Sequence, residues 1–464
     1  MKENENSKNR ALIVGTFIYA IGNFGTKILS FLIVPLYTFY ISPEDLGDYD
    51  LLMTTVSLLS PVLTMKVSDA TYRWLIRDSS NSSCYIGATY KLLFKNCLFF
   101  SIILCIINQI IPIWNCYYFI FILIGDRVLE CIQKLLRGLK KQKLFAFSGI
   151  LYTALLVSAN FIKICIFREG VVALFQSIIF AQLTTIIFLI FKEKSLREVN
   201  LRKKYQKLQK EFIYYSIPLV PSALSWWVMS ASDRYIIRIF LGRNANGIFA
   251  IAGKFPSILQ TLFTMFNNAW TDMALAELEK EEQTKEYVSI IFRKLYCFSF
   301  SIVFCLIPFT KIVASVILSS AYQTAAVYIG VLYLGTIFQG FSSFCAIGYL
   351  RQKSTVGAAR TSMYGACINL ILDIILIKYI GLFAAAISTF IGFFVMWIAR
   401  MYDIRENFPI YIKKTEFIMY LLIAICLAVL SIWSTIYFDF ILFLVSIIWF
   451  FYLNMDVIKK IVKK

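Results

Sequence analysis

The residues best equipped for chemistry stand where a membrane-embedded segment would normally carry none. Ser216 to Gly242 reads SIPLVPSALSWWVMSASDRYIIRIFLG, apolar enough to cross a bilayer, yet Asp233, Arg234 and Arg238 interrupt it. A charge at membrane depth is costly and normally faces water or an opposite charge. Arg234 and Arg238 are four apart and share one face of a helix, with Asp233 beside them. Pro218 and Pro221 stand where the helix begins, where a missing N–H costs least. The chemistry this spacing supports is recognition of an anion by charge-assisted hydrogen bonds in a low-dielectric cavity. Asp233 is read as holding Arg234 in place. Trp226 and Trp227 offer rings on which sugars stack, although aromatics in an apolar helix more often only pack.

Other apolar runs carry charges of the same kind. Lys27 lies beyond Gly22 and Gly25, deep in the first run, and Lys254 lies about two turns into the eighth. Each is a candidate to line the cavity, the alternative being a lysine that snorkels to an interface. Lys66, Asp69 and Arg73 fall at i, i+3 and i+7 on one helix face. This face is read as a gate or a headgroup contact, the alternative being a salt-bridged interfacial face in which Lys66 and Asp69 pair. Asp126, Arg127 and Glu130 lie in another run, where Arg127 and Glu130 can neutralise each other. Their expected role is helix packing, with a protonatable carboxylate as the alternative. Asp373 has no local partner and is a candidate coupling residue. Lys163, one turn from the end of its run, is read as snorkelling.

These charges must be positioned by a membrane protein. Of 464 residues, 59% are hydrophobic and 16% charged, with mean hydropathy +0.72, against about 25% charged in soluble chains. The formal charge of +19 does not indicate nucleic acid, because the basic residues sit between apolar runs, as the positive-inside rule requires. Eleven cysteines without a CxxC, and no histidine at all, imply neither a disulfide framework nor a metal site. No phosphate loop, no catalytic constellation and no long external loop is present, so a non-enzyme is expected.

Fourteen runs reach or approach the ~20 residues that a bilayer core needs: roughly 11–41, 46–68, 88–110, 114–136, 144–167, 171–191, 212–241, 247–272, 290–310, 325–350, 356–379, 382–402, 416–436 and 440–456. With both termini cytoplasmic, the opposite side holds only four basic residues at or beyond the span ends, Arg168, Arg243, Lys311 and Lys378. Residues 47–65 also align without a gap on 247–265, matching Gly47/Gly247, Ser57/Ser257, Leu59/Leu259, Thr64/Thr264 and Met65/Met265. Spans 1–6 therefore correspond to spans 7–12 as parallel repeats. The expected organisation is an N-terminal six-helix bundle (1–195), a cytoplasmic linker (196–211), a C-terminal six-helix bundle (212–403), and two additional helices with a basic tail (404–464). The fold class is an all-α polytopic membrane protein.

The segment PLVPSALSWWVMSASDRYIIRIFLG followed by NANGIFAIAGKF resembles the seventh and eighth spans of Wzx-type polysaccharide flippases. These belong to the multidrug/oligosaccharidyl-lipid/polysaccharide exporter superfamily. GNFGTKILSFLIVPLYTFYISPEDLGDYDLL and SDATYRWLI resemble that family's first two spans, and the resemblance covers essentially the whole chain. It implies two six-helix bundles forming a V in the bacterial cytoplasmic membrane. It also implies a cargo, an undecaprenyl-diphosphate-linked oligosaccharide flipped by alternating access for O-antigen, capsular or other surface polysaccharide, beside other polysaccharide assembly proteins. The diphosphate would meet Lys27, Arg73, Arg234, Arg238 and Lys254. No cofactor is expected, and coupling to H+ or Na+ stays open. The rival readings are a multidrug exporter of the same superfamily, which needs acidic cavity residues, and a membrane glycosyltransferase or polymerase.

Overall fold

The computed structural model describes residues 25–462 apart from 28, 30, 79, 111, 113, 200–204, 278–280, 352–354 and 407, and among them every regular element is a helix. The helices are α1 (Val34–Tyr40), α2 (Pro43–Thr64), α3 (Val67–Arg77), α4 (Ser82–Ile110), α5 (Cys116–Gly138), α6 (Gln142–Phe161) and α7 (Val172–Lys192). After the linker come α8 (Gln206–Ser216), α9 (Leu219–Ala231), α10 (Asp233–Phe240), α11 (Gly242–Glu277) and α12 (Glu281–Ile317). The last five are α13 (Ala326–Arg351), α14 (Thr355–Ile380), α15 (Leu382–Asp403), α16 (Lys414–Trp433) and α17 (Ile436–Val462).

Ten helices among the described residues are long and apolar enough to cross a membrane, or eleven when α2 and α3, bent by 57°, count as one span. The chain is a multi-pass membrane protein. The difference from fourteen has three local causes. The first run, including Gly22, falls mostly outside the described residues. Helix α5 carries Asp126, Arg127, Glu130 and Lys134 within 23 residues, too many charges for a plain span. The seventh run, expected as one helix, is three. Pro218 has no N–H to extend α8, so the chain turns at Ile217. At Ser232 the hydroxyl donates to the Val228 carbonyl, 2.6 Å away, a back-bond that bends helices.

The chain forms two compact units. One holds residues through Ile41 together with Leu51–Trp227, and the other holds Ser42–Asp50 with Val228–Lys464. In the first unit, α5, α6 and α7 bury Ile122, Leu135, Leu136, Leu174 and Ala181 completely. The linker helix α8 seats Phe212 among Val67, Ala70, Ala88, Leu92 and Tyr205, with Trp74 edge-on to it at 5.4 Å.

In the second unit an aromatic core of Phe292, Phe300, Phe341 and Phe344 is fully buried, and Trp397 stacks on Phe417 at 5.1 Å. Lipid is as apolar as these side chains, so close packing and polar contacts hold such helices together. The two last helices illustrate this. Arg293 clasps Glu416 through two nitrogens at 3.1 and 2.9 Å. Lys311 donates to the terminal carbonyls of Ser431 and Ser434, which α16 leaves unpaired, and Asn454 donates to Ser301. The α16–α17 hairpin is thereby bolted to α12 along its length.

Candidate functional site

Helix α10 has only eight residues, and it brings charges together because of how it ends. Leu241 closes its last turn onto Ile237, and Gly242 then adopts φ +87°, a left-handed conformation that glycine enters without a Cβ clash. The chain reverses there into α11, so α10 lies beside the first turns of α11 and α2, all within the second unit. Gly47 on α2 and Gly247 on α11 make that approach possible. A Cβ on Gly47 would strike the Arg243 carbonyl and lie 3.0 Å from the Gly247 nitrogen. One on Gly247 would strike the Pro43 carbonyl and lie 3.1 Å from the Gly47 nitrogen. Asn244 donates to Glu44 at 2.8 Å, and Asn246 to the Gly47 carbonyl at 2.7 Å.

Arg234 is the centre of the cluster. Its Nε lies 2.9 Å from Asp50 Oδ2, and its Nη1 lies 3.5 Å from Asp233 Oδ2. The guanidinium sits over the Phe249 ring at 4.7 Å and against Gly253, where a Cβ would stand 3.1 Å from Nη2. Nη1 is buried without a hydrogen-bond acceptor, and Asp233 Oδ1 is buried without a donor. Lys254, next to Gly253, lies within electrostatic reach of Asp50 and Arg234. Among the described residues no carboxylate stands at ion-pair distance from it. Asp373, on α14, is fully buried, neither of its oxygens has a hydrogen-bond partner, and it faces the charges of Asp233 and Arg234. One turn away, Asn369 contacts Ser388 and Thr389. Arg238 differs, because its Nη2 pairs with Asp48 at 3.2 Å and Asp48 also pairs with Arg243.

The second unit thus assembles Asp233, Arg234, Arg238, Lys254 and Asp373 from the sequence-derived set. Lys27 and Arg73 belong to the first unit. Lys27 is half-buried on helical backbone. Arg73 is exposed, with its guanidinium over the Tyr215 ring of the linker helix at 4.7 Å. Asp126, Arg127 and Glu130 form a separate ladder on α5, where Arg127 pairs with both acids and with Ser60. Trp227 donates its indole N–H to Ser57 at 2.9 Å. Lys163 is no free snorkel, since it donates to Glu169 and Gln176 at 3.1 and 2.5 Å.

Sequence reasoning missed Asp48 and Asp50. Their signal was present: Glu44, Asp45, Asp48 and Asp50 crowd the start of the span whose Gly47 aligns with Gly247. Charges deep within spans draw the eye away from acids that stand within about two turns of a helix's start, as Asp48 and Asp50 do on α2.

Known proteins agree with this architecture. In a search of solved structures the chain is similar to a lipid II flippase MurJ in an inward closed conformation, with TM-score 0.76 and 13% identity over 96% of this chain and 100% of that one. It is also similar to an inward-facing multidrug resistance MATE family transporter of the MOP superfamily, with TM-score 0.66 and 14% identity over 84% of this chain and 95% of that one. At these identities the likeness is one of fold. An uncharacterized membrane protein of Methanocaldococcus jannaschii is 21% identical over 69% of this chain, a match spanning 64% of the relative's own length. A model of the polysaccharide biosynthesis protein family matches residues 12–271, more than half of the sequence and the stretch that carries the α10–α11 cluster. The chain belongs to the polysaccharide biosynthesis protein family.

Proposed function

We propose that this protein is a flippase for a lipid-linked oligosaccharide, carrying an undecaprenyl-diphosphate-linked repeat unit across the bacterial cytoplasmic membrane by alternating access. The observation that supports it best is the neighbouring pair Arg234 and Lys254. One offers a buried nitrogen without an acceptor, and the other has no carboxylate at ion-pair distance among the described residues. Two adjacent cations with spare donors suit a diphosphate, whose oxygens accept several charge-assisted hydrogen bonds at once. Lys27 and Arg73 are assigned to the same headgroup along its path. Arg238 serves to hold Asp48 more than to bind cargo. The acceptor polymer would be O-antigen, capsule or a similar surface glycan.

Asp373 is the coupling residue in this account. An ionised carboxylate so buried is strained unless it takes a proton or a cation, and Asp233 adds a second negative charge within electrostatic reach of it. That carboxylate pair also favours a second reading, export of a cationic compound. Leaflet accessibility in proteoliposomes separates the two. Movement of a labelled lipid-diphosphate glycan that Lys254→Ala abolishes supports flipping, whereas uptake of a cationic dye that Asp373→Asn abolishes, with the glycan immobile, supports drug export.

A further inference from the structure

The break between α2 and α3 lies outside the cluster just described, in the first unit. Met65 and Lys66 both take left-handed backbone angles, φ 47° and 55°, a conformation that side chains enter only when their surroundings compel it. The surroundings do so on both sides of the break. Asn96 donates to the freed Leu63 carbonyl at 2.9 Å, and the Lys66 N–H is caught by the Thr64 hydroxyl at 3.2 Å. Helix α5 then holds each arm separately. Arg127 bonds to Ser60 above the break, Lys134 pairs with Asp69 below it at 2.7 Å, and Glu130 joins the two cations.

The two faces of α3 differ in kind. Toward α4 and α8 it is mainly apolar and aromatic, with Val67, Ala70, Ala88, Leu92 and Phe212 in one cluster, Trp74 against both Phe212 and Tyr215, and one buried hydroxyl contact, Thr71 to Thr89 at 2.6 Å. Toward α5 it meets a lysine, an arginine over Tyr72 at 5.1 Å, and Gly138 under Leu75. Water can replace charged contacts, but it cannot replace an apolar cluster. The α3–α5 seam is therefore the one held in part by charged contacts that water can replace. Helix α8, on the far side, is joined to α9 through the second break, at Ile217–Pro218.

We propose that α3, the first turns of α4 and α8 form one pivoting block, hinged at Met65–Lys66 and at Ile217–Pro218 and latched to α5 by Asp69–Lys134. The block carries Arg73, so its swing would reposition that cation whatever the cargo.

Spin labels on ketone-bearing amino acids avoid the native cysteines. With labels at Ile76 and at Lys140, just past the end of α5, the α3–α5 distance in nanodiscs should shift toward longer values in Asp69→Asn, and the charge-conserving Asp69→Glu should keep the parent value. With labels at Ile76 and Lys210, the α3–α8 distance should stay constant in every variant. An unshifted α3–α5 distance in Asp69→Asn would overturn the latch, and an α3–α8 distance that moves with it would overturn the block. Both readouts are independent of transport, so a failure of the flippase reading leaves them intact.

Discussion

Gly47 and Gly247 press backbone against backbone, each standing where a side chain would drive into a carbonyl four residues before the other. They are also the leading residues of the repeat, at a constant offset in sequence. The contact is reciprocal, Gly47 against Arg243 and Gly247 against Pro43. It fixes how near α2 approaches α11, and so whether Asp48 and Asp50 reach Arg238 and Arg234.

Alanine at either glycine should therefore be far costlier than alanine at an ordinary helical glycine. Overpacking against backbone that cannot yield costs about 3 kcal/mol or more. At Gly149, where the nearest atom to a new Cβ is 3.5 Å away, the change should be neutral or stabilising by up to about 1 kcal/mol. Thermal stability in detergent, followed by fluorescence-detected size exclusion, makes the comparison.

Removing Arg234 leaves Asp50 and Asp233 in low dielectric without their cation, and breaking such a pair costs about 3 kcal/mol. Arg234→Ala should lower the unfolding temperature, and adding Asp50→Asn should recover much of the loss without recovering export. Export restored together with stability would reduce Arg234 to a packing residue.

Asp48→Asn should cost less, about 1 kcal/mol, since Arg238 and Arg243 are 34% and 44% exposed and water can solvate them. The same thermal assay ranks it against Arg234→Ala, and an equal or larger loss would contradict the ranking.

Asp373→Asn removes a buried charge that no hydrogen bond compensates. It should raise stability by about 1–2 kcal/mol while abolishing any dependence of transport on a proton or sodium gradient. A gradient dependence identical to the parent's would place coupling elsewhere.

Much of this was legible in the chain. Alternating apolar runs and basic gaps identified a helical membrane protein, because a bilayer admits few other solutions. The Asp-Arg pair before a Leu-Gly turn located the cluster, and Gly242 does reverse the chain there. The single seventh helix did not survive, because the back-bond of Ser232 and the effect of Pro218 depend on local geometry that hydropathy averages away. The acids that neutralise Arg234 and Arg238 were hidden for a different reason. They lie nearly 200 residues upstream, and only the Gly47–Gly247 approach makes them neighbours.

The central claim is that an anionic lipid headgroup engages Lys254 beside Arg234. The most direct measurement is leaflet exchange of a fluorescent undecaprenyl-diphosphate-linked oligosaccharide in proteoliposomes, scored by a membrane-impermeant quencher. Lys254→Ala strands no carboxylate, so it should insert and fold like the parent. The account predicts exchange by the parent protein and at least about a tenfold slower rate for Lys254→Ala, the loss expected of one charge-assisted contact. Equal rates for the two, or no exchange by the parent above protein-free liposomes, would contradict it.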